Sequence, residues 1–253
     1  MVKIRLHQFL SKTGEFSSKK EILNTIKNSQ IVVNKEIITN PHYQLSKNKY
    51  VYYNNKLLKT KEKIYIIMNK PSGYLSSRLT KNDFKLNKKS IFSLIKNLDP
   101  KLEQSLSAIG RLDENTSGLI ILTNDGELIN EIAHPKFEIT KTYFVELERE
   151  LSNFDITNIE NGVVIELEEN GIKRKYKTKP SNLEILNENQ VYITIKEGKK
   201  REVRRIFESL GNNVIKLKRI KIGELNLDEL KIKEGEFKIV DRKFLLIKLK
   251  YCR

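Results

Sequence analysis

The segment from residue 108 to residue 123 constrains the fold more than any other part of this sequence, because it joins two apolar segments through one polar loop. The first segment ends at Ile109, and residues 119–122 form an aliphatic run that is typical of a buried strand. Asp113 is therefore predicted to lie in a loop between two core elements. Such loops often carry catalytic side chains, since a polar group can be exposed there without burying unpaired backbone. Asp, Asn, Thr, Ser and Gly are also ordinary turn formers, so the pattern alone leaves a purely structural turn open.

The charge of the chain indicates a polyanionic partner. Lys and Arg number 48 against 32 Asp and Glu, which gives a formal net charge of +16 and a pI near 9.6. An excess of this kind attracts nucleic acid through counterion release and makes the binding depend on salt. A general bias of the composition toward lysine is the alternative explanation. At 253 residues, the chain is long enough for one large domain and one small domain.

Several classes of protein are not indicated by the sequence. No apolar run approaches the roughly 20 residues that span a bilayer, and residues 1–10 lack the apolar region of a secretory signal. We therefore expect a cytoplasmic protein without a membrane partner. Cys252 is the single cysteine, and His7, His42 and His134 are scattered, so no Cys/His cluster has metal-ligand spacing. We expect neither a metal nor another cofactor.

Residues 110–128 read G-R-L-D-E-N-T-S-G-L-I-I-L-T-N-D-G-E-L, which resembles the signature of the RsuA-type ribosomal RNA pseudouridine synthases. In that family the aspartate of G-R-L-D is essential for catalysis, so the resemblance implies that Asp113 is the catalytic residue. It also implies that Arg111 contacts phosphate and fills the space that the target base vacates on leaving its stack. If the segment is extended, Arg111 and Asp113 lie on the same side, and a structural salt bridge is the alternative role for Arg111.

Residues 3–58 resemble the S4-type RNA-binding domain that RsuA-type synthases carry at the N-terminus. Apolar residues at helical spacing predict two short amphipathic helices, and two later segments are strand-like. The residues that match the family's basic positions are Arg5, Lys19 and Lys20. The resemblance implies that these residues bind RNA. The family usually has paired arginines where this chain has the two lysines, so phosphate attraction remains while geometric selectivity weakens. A solvated helix face is the alternative for the lysines.

A charged linker at residues 59–63 separates the two predicted domains, which are residues 1–60 and residues 61–253. The segment I-Y-I-I-M-N-K-P-S-G-Y-L-S-S at 64–77 is typical of a buried strand followed by a Pro-Gly turn. It also matches the family's N-K-P-x-G segment. By that match Lys70 lies near the active cleft and contacts RNA, whereas a solvated turn lysine is the alternative.

Three further predictions are local. Residues 78–89 show no clear periodicity and are predicted to form a surface loop. The apolar residues within 91–98 predict an amphipathic helix that ends before Pro100. A short helix starting at Glu127 is predicted to end at His134. His134 is a possible general base by residue type, but a histidine before proline at a helix end more often has a capping or packing role.

Two later segments complete the site that the resemblance implies. K-T-Y-F-V-E-L at 141–147 alternates as a strand does and matches the family's K-T-Y-x-V motif, which implies that Tyr143 stacks on the target uracil. An ordinary strand aromatic is the alternative. E-G-K-K-R-E-V-R-R-I-F at 197–207 changes to a helical period, and by motif position Arg204 pairs with Asp113. Phosphate binding is the alternative for Arg204. The residues expected to contact the RNA backbone are Lys199, Arg201 and Arg205.

The sequence and the resemblance together predict an α+β protein. An S4-type domain is followed by a synthase domain with a mixed, mainly antiparallel sheet flanked by helices, and the sheet topology is taken from the family. The implied function is isomerisation of a specific uridine in ribosomal RNA or a ribosomal assembly intermediate, with small-subunit RNA favoured. Two alternatives are open: a non-catalytic RNA-binding or ribosome-assembly factor with the same fold, and a synthase acting on transfer RNA. A monomer is expected.

Overall fold

The computed structural model describes residues 4–46, 49–95, 97–133, 137–169 and 171–249. His134 and Cys252 lie outside the described residues. The chain divides into two compact units. The first consists of Met1–Ile64, Ile95–Ser107 and Leu122–Asp125, and the second of Tyr65–Leu94, Ala108–Ile121 and Gly126–Arg253. Within the described ranges, no helix is long and apolar enough to cross a membrane.

The strands, in chain order, are β1 (Ile4–Arg5), β2 (Ile31–Val33), β3 (Glu36–Ile37), β4 (Gln44–Leu45), β5 (Val51–Tyr53), β6 (Lys56–Leu57), β7 (Tyr65–Lys70), β8 (Tyr74–Leu75), β9 (Lys89–Ser90), β10 (Ser107–Ile109), β11 (Ser117–Thr123), β12 (Lys141–Leu147), β13 (Val164–Glu169), β14 (Ile172–Lys177), β15 (Asn182–Asn187), β16 (Gln190–Ile195), β17 (Val214–Ile222), β18 (Leu225–Asn226) and β19 (Phe237–Val240). The helices are α1 (Leu6–Ser11), α2 (Lys19–Lys27), α3 (Lys81–Lys85), α4 (Pro100–Ser105), α5 (Gly126–Ala133), α6 (Asn153–Asn161), α7 (Glu202–Ser209), α8 (Leu227–Leu230) and α9 (Arg242–Lys248). A 3₁₀ helix spans Ile91–Ile95.

In the first unit, two short helices share one core with a small antiparallel sheet. The strands pair in the order β3-β2-β5-β6, and β1 pairs with β4. α2 begins after Ser18, whose side chain accepts a hydrogen bond from the backbone N–H of Glu21, a common N-cap arrangement. The buried apolar side chains of this core are Leu6, Leu10, Phe16, Ile22, Ile26, Ile31, Val33, Ile38, Leu45, Val51 and Leu58. The two predicted amphipathic helices and the strands that follow them are confirmed.

The second unit is built on a mixed sheet with the order β15-β16-β12-β17-β11-β7-β19, in which β10 also pairs with β11 and β18 with β17. β12 is antiparallel to β16 and to β17, and β7 is antiparallel to β19, whereas β11 and β17 are parallel. Leu128, Leu227 and Leu245 from α5, α8 and α9 join the core of this sheet. The predicted α+β class with a mainly antiparallel sheet is therefore confirmed.

The parallel pairing of β11 with β17 requires the glycine at position 118. Gly118 is the Cα partner of Arg219 and has a φ of +103°. A Cβ atom at this position would lie 2.2 Å from the carbonyl oxygen of Arg219. An L side chain would therefore be strained and would also clash with the neighbouring backbone. The glycine lets the strand that follows the Asp113 loop approach β17 closely.

Two local predictions between β8 and β10 are wrong. Residues 78–89 contain α3 rather than only a loop, because Thr80 and Asp83 form a capping box that starts a short helix without buried residues. The helix predicted to end before Pro100 is instead the 3₁₀ helix Ile91–Ile95, and Pro100 begins α4. Asp99 caps α4 by accepting from Leu102 N at 2.8 Å, and proline is well tolerated at the first helical position.

Candidate active site

A cleft of about 490 Å³ in the second unit brings together residues from distant parts of the chain. The loop between β10 and β11 forms one wall, β12 and β17 form the floor, and the segment before α7 forms another wall. The predicted site residues that line this cleft are Arg111, Asp113, Tyr143, Lys199 and Arg201. Arg5, Lys19 and Lys20 belong to the first unit, where all three are exposed.

The Asp113 loop is held by hydrogen bonds to its own turn and to the segment after β7. Thr116 N donates to Asp113 O at 3.1 Å, which closes the turn. Ser76 Oγ donates to Leu112 O at 2.7 Å and accepts from Leu112 N at 3.1 Å. Gly73 N donates to the carbonyl oxygen of the residue after Asp113 at 2.9 Å. The carboxylate is thus presented from a loop whose backbone is fixed on both sides.

Lys70 is a buried part of this support. Its side chain is fully buried, and its Nζ donates to Pro71 O at 3.0 Å, Glu114 O at 3.1 Å and Thr116 O at 2.7 Å. Burial lowers the pKa of Lys70 to about 8, while the nearby Asp113 and Glu114 carboxylates act in the opposite direction. Because Lys70 is fully buried, its predicted contact with RNA is contradicted, and the alternative of a solvated turn lysine is wrong as well. The ammonium group instead fixes the loop that carries Asp113.

Arg204 reaches the same loop without touching the Asp113 carboxylate. Its guanidinium donates to Asn115 O at 3.1 Å and to Val214 O at 2.9 Å. Among the described residues, no carboxylate oxygen lies within 4.0 Å of a guanidinium nitrogen of Arg204, the distance limit for an ion pair. Burial and the neighbouring Arg201 lower the pKa of Arg204, and Asp113 acts against them. The structure therefore places Arg204 as a support for the loop that acts on Asp113 through space, and not in the predicted direct pair.

The basic segment before α7 forms the rim of the cleft. Lys199 and Arg201 are exposed, and Lys199 N donates to the buried Glu202 carboxylate at 2.6 Å. Burial, with a contribution from Glu197, raises the pKa of Glu202 to about 7. Glu202 is a residue that sequence reasoning missed. It ties the rim segment to the start of α7.

Arg205 lies apart from the cleft. It lines a separate cavity of about 440 Å³ together with Glu166 and Glu168 from β13. Successive residues of a helix point in different directions, so Arg204 turns toward the Asp113 loop and Arg205 toward β13. The contact of Arg205 with the RNA backbone stays a prediction, and this placement puts any such contact outside the active cleft.

Tyr143 and Arg219 lie side by side on the floor of the cleft. They are Cα partners on the antiparallel strands β12 and β17, and both are buried, with 8% and 3% of their surface exposed. Arg219 Nε donates to Leu119 O at 2.8 Å. Sequence reasoning missed Arg219, although alternation along β17 puts it on the same face as the buried Leu217. A cation at a core-facing strand position was the available signal.

The side chains of the cleft can bind an anionic polymer and present one carboxylate to a flat, polar base. Within the described residues, no group of three or more His, Cys, Asp or Glu side chains could hold a metal ion.

Comparison with known proteins gives the relationships of the chain. Residues 64–209 match the family model described as RNA pseudouridylate synthase, and residues 4–60 match the S4 domain model. The chain is 32% identical over 236 residues to the ribosomal small subunit pseudouridine synthase A of Haemophilus influenzae, with 93% of this chain and 95% of that relative covered. It is 33% identical over 229 residues to the ribosomal large subunit pseudouridine synthase B of Bacillus subtilis, with coverage of 88% and 87%. A solved crystal structure of a pseudouridylate synthase is similar with a TM-score of 0.66 at 32% identity, with 97% of this chain and 99% of that chain covered.

Proposed function

This chain belongs to the RNA pseudouridylate synthase family, and from that premise we propose that it isomerises one specific uridine of ribosomal RNA with Asp113 as the catalytic group. The observation that carries the proposal is the Asp113 carboxylate, held by a fixed loop in a cleft that also contains Arg111 and Tyr143. The relatives in Haemophilus influenzae and Bacillus subtilis are named for ribosomal RNA of the small and the large subunit. That small-subunit RNA is the substrate stays a prediction.

The reaction breaks the N1–C1′ bond of uridine, turns the freed uracil and rejoins it through C5. It involves no net change of oxidation state and no net hydrolysis. An ionised aspartate suits this chemistry because it can attack carbon or stabilise an electron-deficient sugar. The half-buried Asp113 carboxyl group lies on the wall of the cleft, within the space that a flipped nucleotide would enter.

The other residues of the cleft have distinct roles in this proposal. Tyr143 offers its ring to the flipped uracil, since unpaired bases stack on aromatic side chains. Arg111 is exposed at the cleft and takes the space that the base leaves in the RNA. The exposed Lys199 and Arg201 contact backbone phosphates. Arg204 keeps the Asp113 loop in place through Asn115.

The two parts of the chain divide the work. We propose that residues 1–60 bind RNA as an S4 domain and that residues 61–253 form the catalytic domain. In the first part, Arg5, Lys19 and Lys20 are exposed and free of the first unit's apolar core, which supports their role as phosphate contacts. The lysines supply charge without the two-pronged geometry of arginine.

We propose a monomer as the active form. Ribosomal RNA as the substrate also implies action in the cytoplasm, where bacterial ribosomes assemble. A ribosomal assembly intermediate is a possible form of that substrate and belongs in the assay beside free RNA.

The test is carbodiimide mapping of pseudouridine after incubation of the purified protein with unmodified small-subunit and large-subunit ribosomal RNA. Asp113→Asn is compared with Glu150→Gln, which alters an exposed carboxylate outside the cleft. We expect one new pseudouridine with the wild type and with Glu150→Gln, and none with Asp113→Asn.

If the wild type binds ribosomal RNA and assembly intermediates but modifies neither, the proposal is overturned in favour of a non-catalytic assembly factor. Modification of transfer RNA alone would keep the reaction and replace the substrate. Equal activity of Asp113→Asn and the wild type would remove Asp113 from the catalytic role.

A further inference from the structure

Arg219 is a buried cation without a carboxylate partner in the part of the chain that the structure describes. Only 3% of its surface is exposed, and its Nε is satisfied by Leu119 O at 2.8 Å. Its Nη2 is buried without a hydrogen-bond partner, and no carboxylate among the described residues forms an ion pair with it. Leaving a charged N–H group buried and unpaired is unfavourable, because the group loses its hydration without gaining a hydrogen bond. Such a group in a native structure calls for a specific explanation.

The strand register fixes where this unpaired group lies. Arg219 is the Cα partner of Tyr143 on one side and of Gly118 on the other. Directly opposed residues of neighbouring strands have Cβ atoms about 4.5–5.5 Å apart and share a face of the sheet. Both Tyr143 and Arg219 line the cleft with Asp113. A base that stacks on the Tyr143 ring would therefore lie beside the strand position of Arg219.

The depth of Arg219 distinguishes it from the cations that suit phosphate. Lys199 and Arg201 are exposed on the rim of the cleft, where an RNA backbone can reach them. Arg219 lies on the floor, where only an extruded base can arrive. The charge of Arg219 affects a neighbouring residue of the cleft, Lys141. Burial lowers the pKa of Lys141 most, and the positive charge of Arg219 lowers it further. The floor is thus positive and desolvated, a condition in which a fixed donor acts strongly on nearby negative charge.

We propose that Arg219 donates a hydrogen bond to a carbonyl oxygen of the flipped uracil and stabilises the negative charge that the base acquires in the reaction. The inference rests on the proposed function. When the N1–C1′ bond breaks, its electron pair stays on the base and is delocalised onto the uracil oxygens. The C5–C1′ bond then forms, the C5 proton is removed and N1 gains a proton. Atoms and electrons balance without another reactant. Asp113 acts on the sugar or the base carbon, and Arg219 acts on the departing base.

The first test compares single-turnover rates on a ribosomal RNA fragment that the wild type modifies. Arg219→Met removes the guanidinium and keeps an unbranched side chain, and Arg219→Lys keeps a cation of different reach. Lys221→Met, on the same strand but paired with Glu224 outside the cleft, is the matched control. We expect a loss of about 10²-fold for Arg219→Met, a smaller loss for Arg219→Lys and no loss for Lys221→Met. RNA affinity and the urea midpoint of Arg219→Lys should match those of the wild type.

The second test separates charge stabilisation from a merely structural role. 5-Fluorouracil is a stronger acid than uracil and departs more readily as an anion, so it depends less on a stabilising donor. With 5-fluorouridine at the target position, glycosidic bond cleavage by Arg219→Lys should be closer to the wild-type rate than it is with uridine. A structural defect would lower both rates by the same factor.

Three outcomes are decisive. Equal loss on the two substrates, or no loss for either Arg219 variant beside an active wild type, would overturn the inference and leave the proposed function intact. A wild type that modifies no RNA would instead overturn the proposed function. Instability of Arg219→Met does not affect the test, because Arg219→Lys carries the substrate comparison.

Discussion

Replacing Lys70 with methionine tests whether a buried ammonium group keeps the Asp113 loop in its active form. Methionine retains the unbranched stem of lysine and removes the three N–H donors. The acceptors that lose them are the carbonyl oxygens of Pro71, Glu114 and Thr116, at 3.0, 3.1 and 2.7 Å. Two of these carbonyls follow Asp113 within three residues. The substitution should therefore affect both stability and the geometry of the Asp113 carboxylate.

The expected change in stability is the difference between two opposing effects. A hydrogen bond from a charged donor contributes about 1.5–3 kcal/mol, so three of them contribute about 4.5–9 kcal/mol. Burial lowers the pKa of Lys70 from 10.5 to about 8. At about 1.36 kcal/mol per pKa unit, keeping the group charged near neutral pH costs about 3 kcal/mol, which the variant no longer bears. We expect Lys70→Met to lose about 2–6 kcal/mol of unfolding free energy.

The assay is equilibrium urea unfolding, followed by single-turnover pseudouridine formation at a urea-free condition where the variant is folded. Lys88→Met is the matched control, because Lys88 also binds Glu114, but through the partly exposed carboxylate at 2.8 Å. Such a pair contributes about 1 kcal/mol or less. A loosened loop should slow the chemical step of Lys70→Met by about 10²-fold. If Lys70→Met loses no more stability than Lys88→Met and keeps full activity, Lys70 does not hold the loop.

Three further predictions concern other parts of the chain. Burial in the folded state raises the pKa of Glu202 from 4.5 to about 7. Between those pH values the folded state binds more protons than the unfolded state, so the stability that Glu202 contributes is lost as the pH rises through about 7. From about pH 5 to about pH 8, the free energy of urea unfolding should therefore fall more for the wild type than for Glu202→Gln. Gly118→Ala should lose more than about 3 kcal/mol or fail to fold, whereas Gly198→Ala, which has open space around it, should unfold like the wild type. Alanine at Lys19 and Lys20 should lower the slope of log affinity against log salt by about 1 for each lysine that contacts phosphate, and unchanged slopes would remove them from the RNA interface.

The parts of the fold that depend on local pattern could be predicted from the sequence. The aliphatic run at 119–122 is buried within β11, and Val203, Ile206 and Phe207 form the buried face of α7 at helical spacing. Asp113 lies in the loop before β11, as predicted. In each case the information resides in a few neighbouring residues, because side-chain periodicity reports which face is buried.

The parts that depend on distant contacts could not be predicted in this way. Lys70 follows a strand and precedes proline, which locally favours a solvated turn, but its acceptors lie 44 and 46 positions later in the chain. Arg204 was expected to contact the Asp113 carboxylate, yet it binds the backbone of Asn115, 89 positions away. A motif identifies which residues meet and does not show which of their atoms touch.

The position of β17 in the sheet has a consequence for how the enzyme becomes active during synthesis. β11 and β12 are separated by only a short stretch of sequence, but they are not neighbours, because β17 lies between them. A nascent chain that has emerged only as far as β16 therefore lacks the strand that joins the Asp113 loop to Tyr143. Pairing over so long a separation is a slow step in folding. The cleft is consequently completed late, when a strand encoded about a hundred residues after the Asp113 loop inserts between two strands that were synthesised earlier.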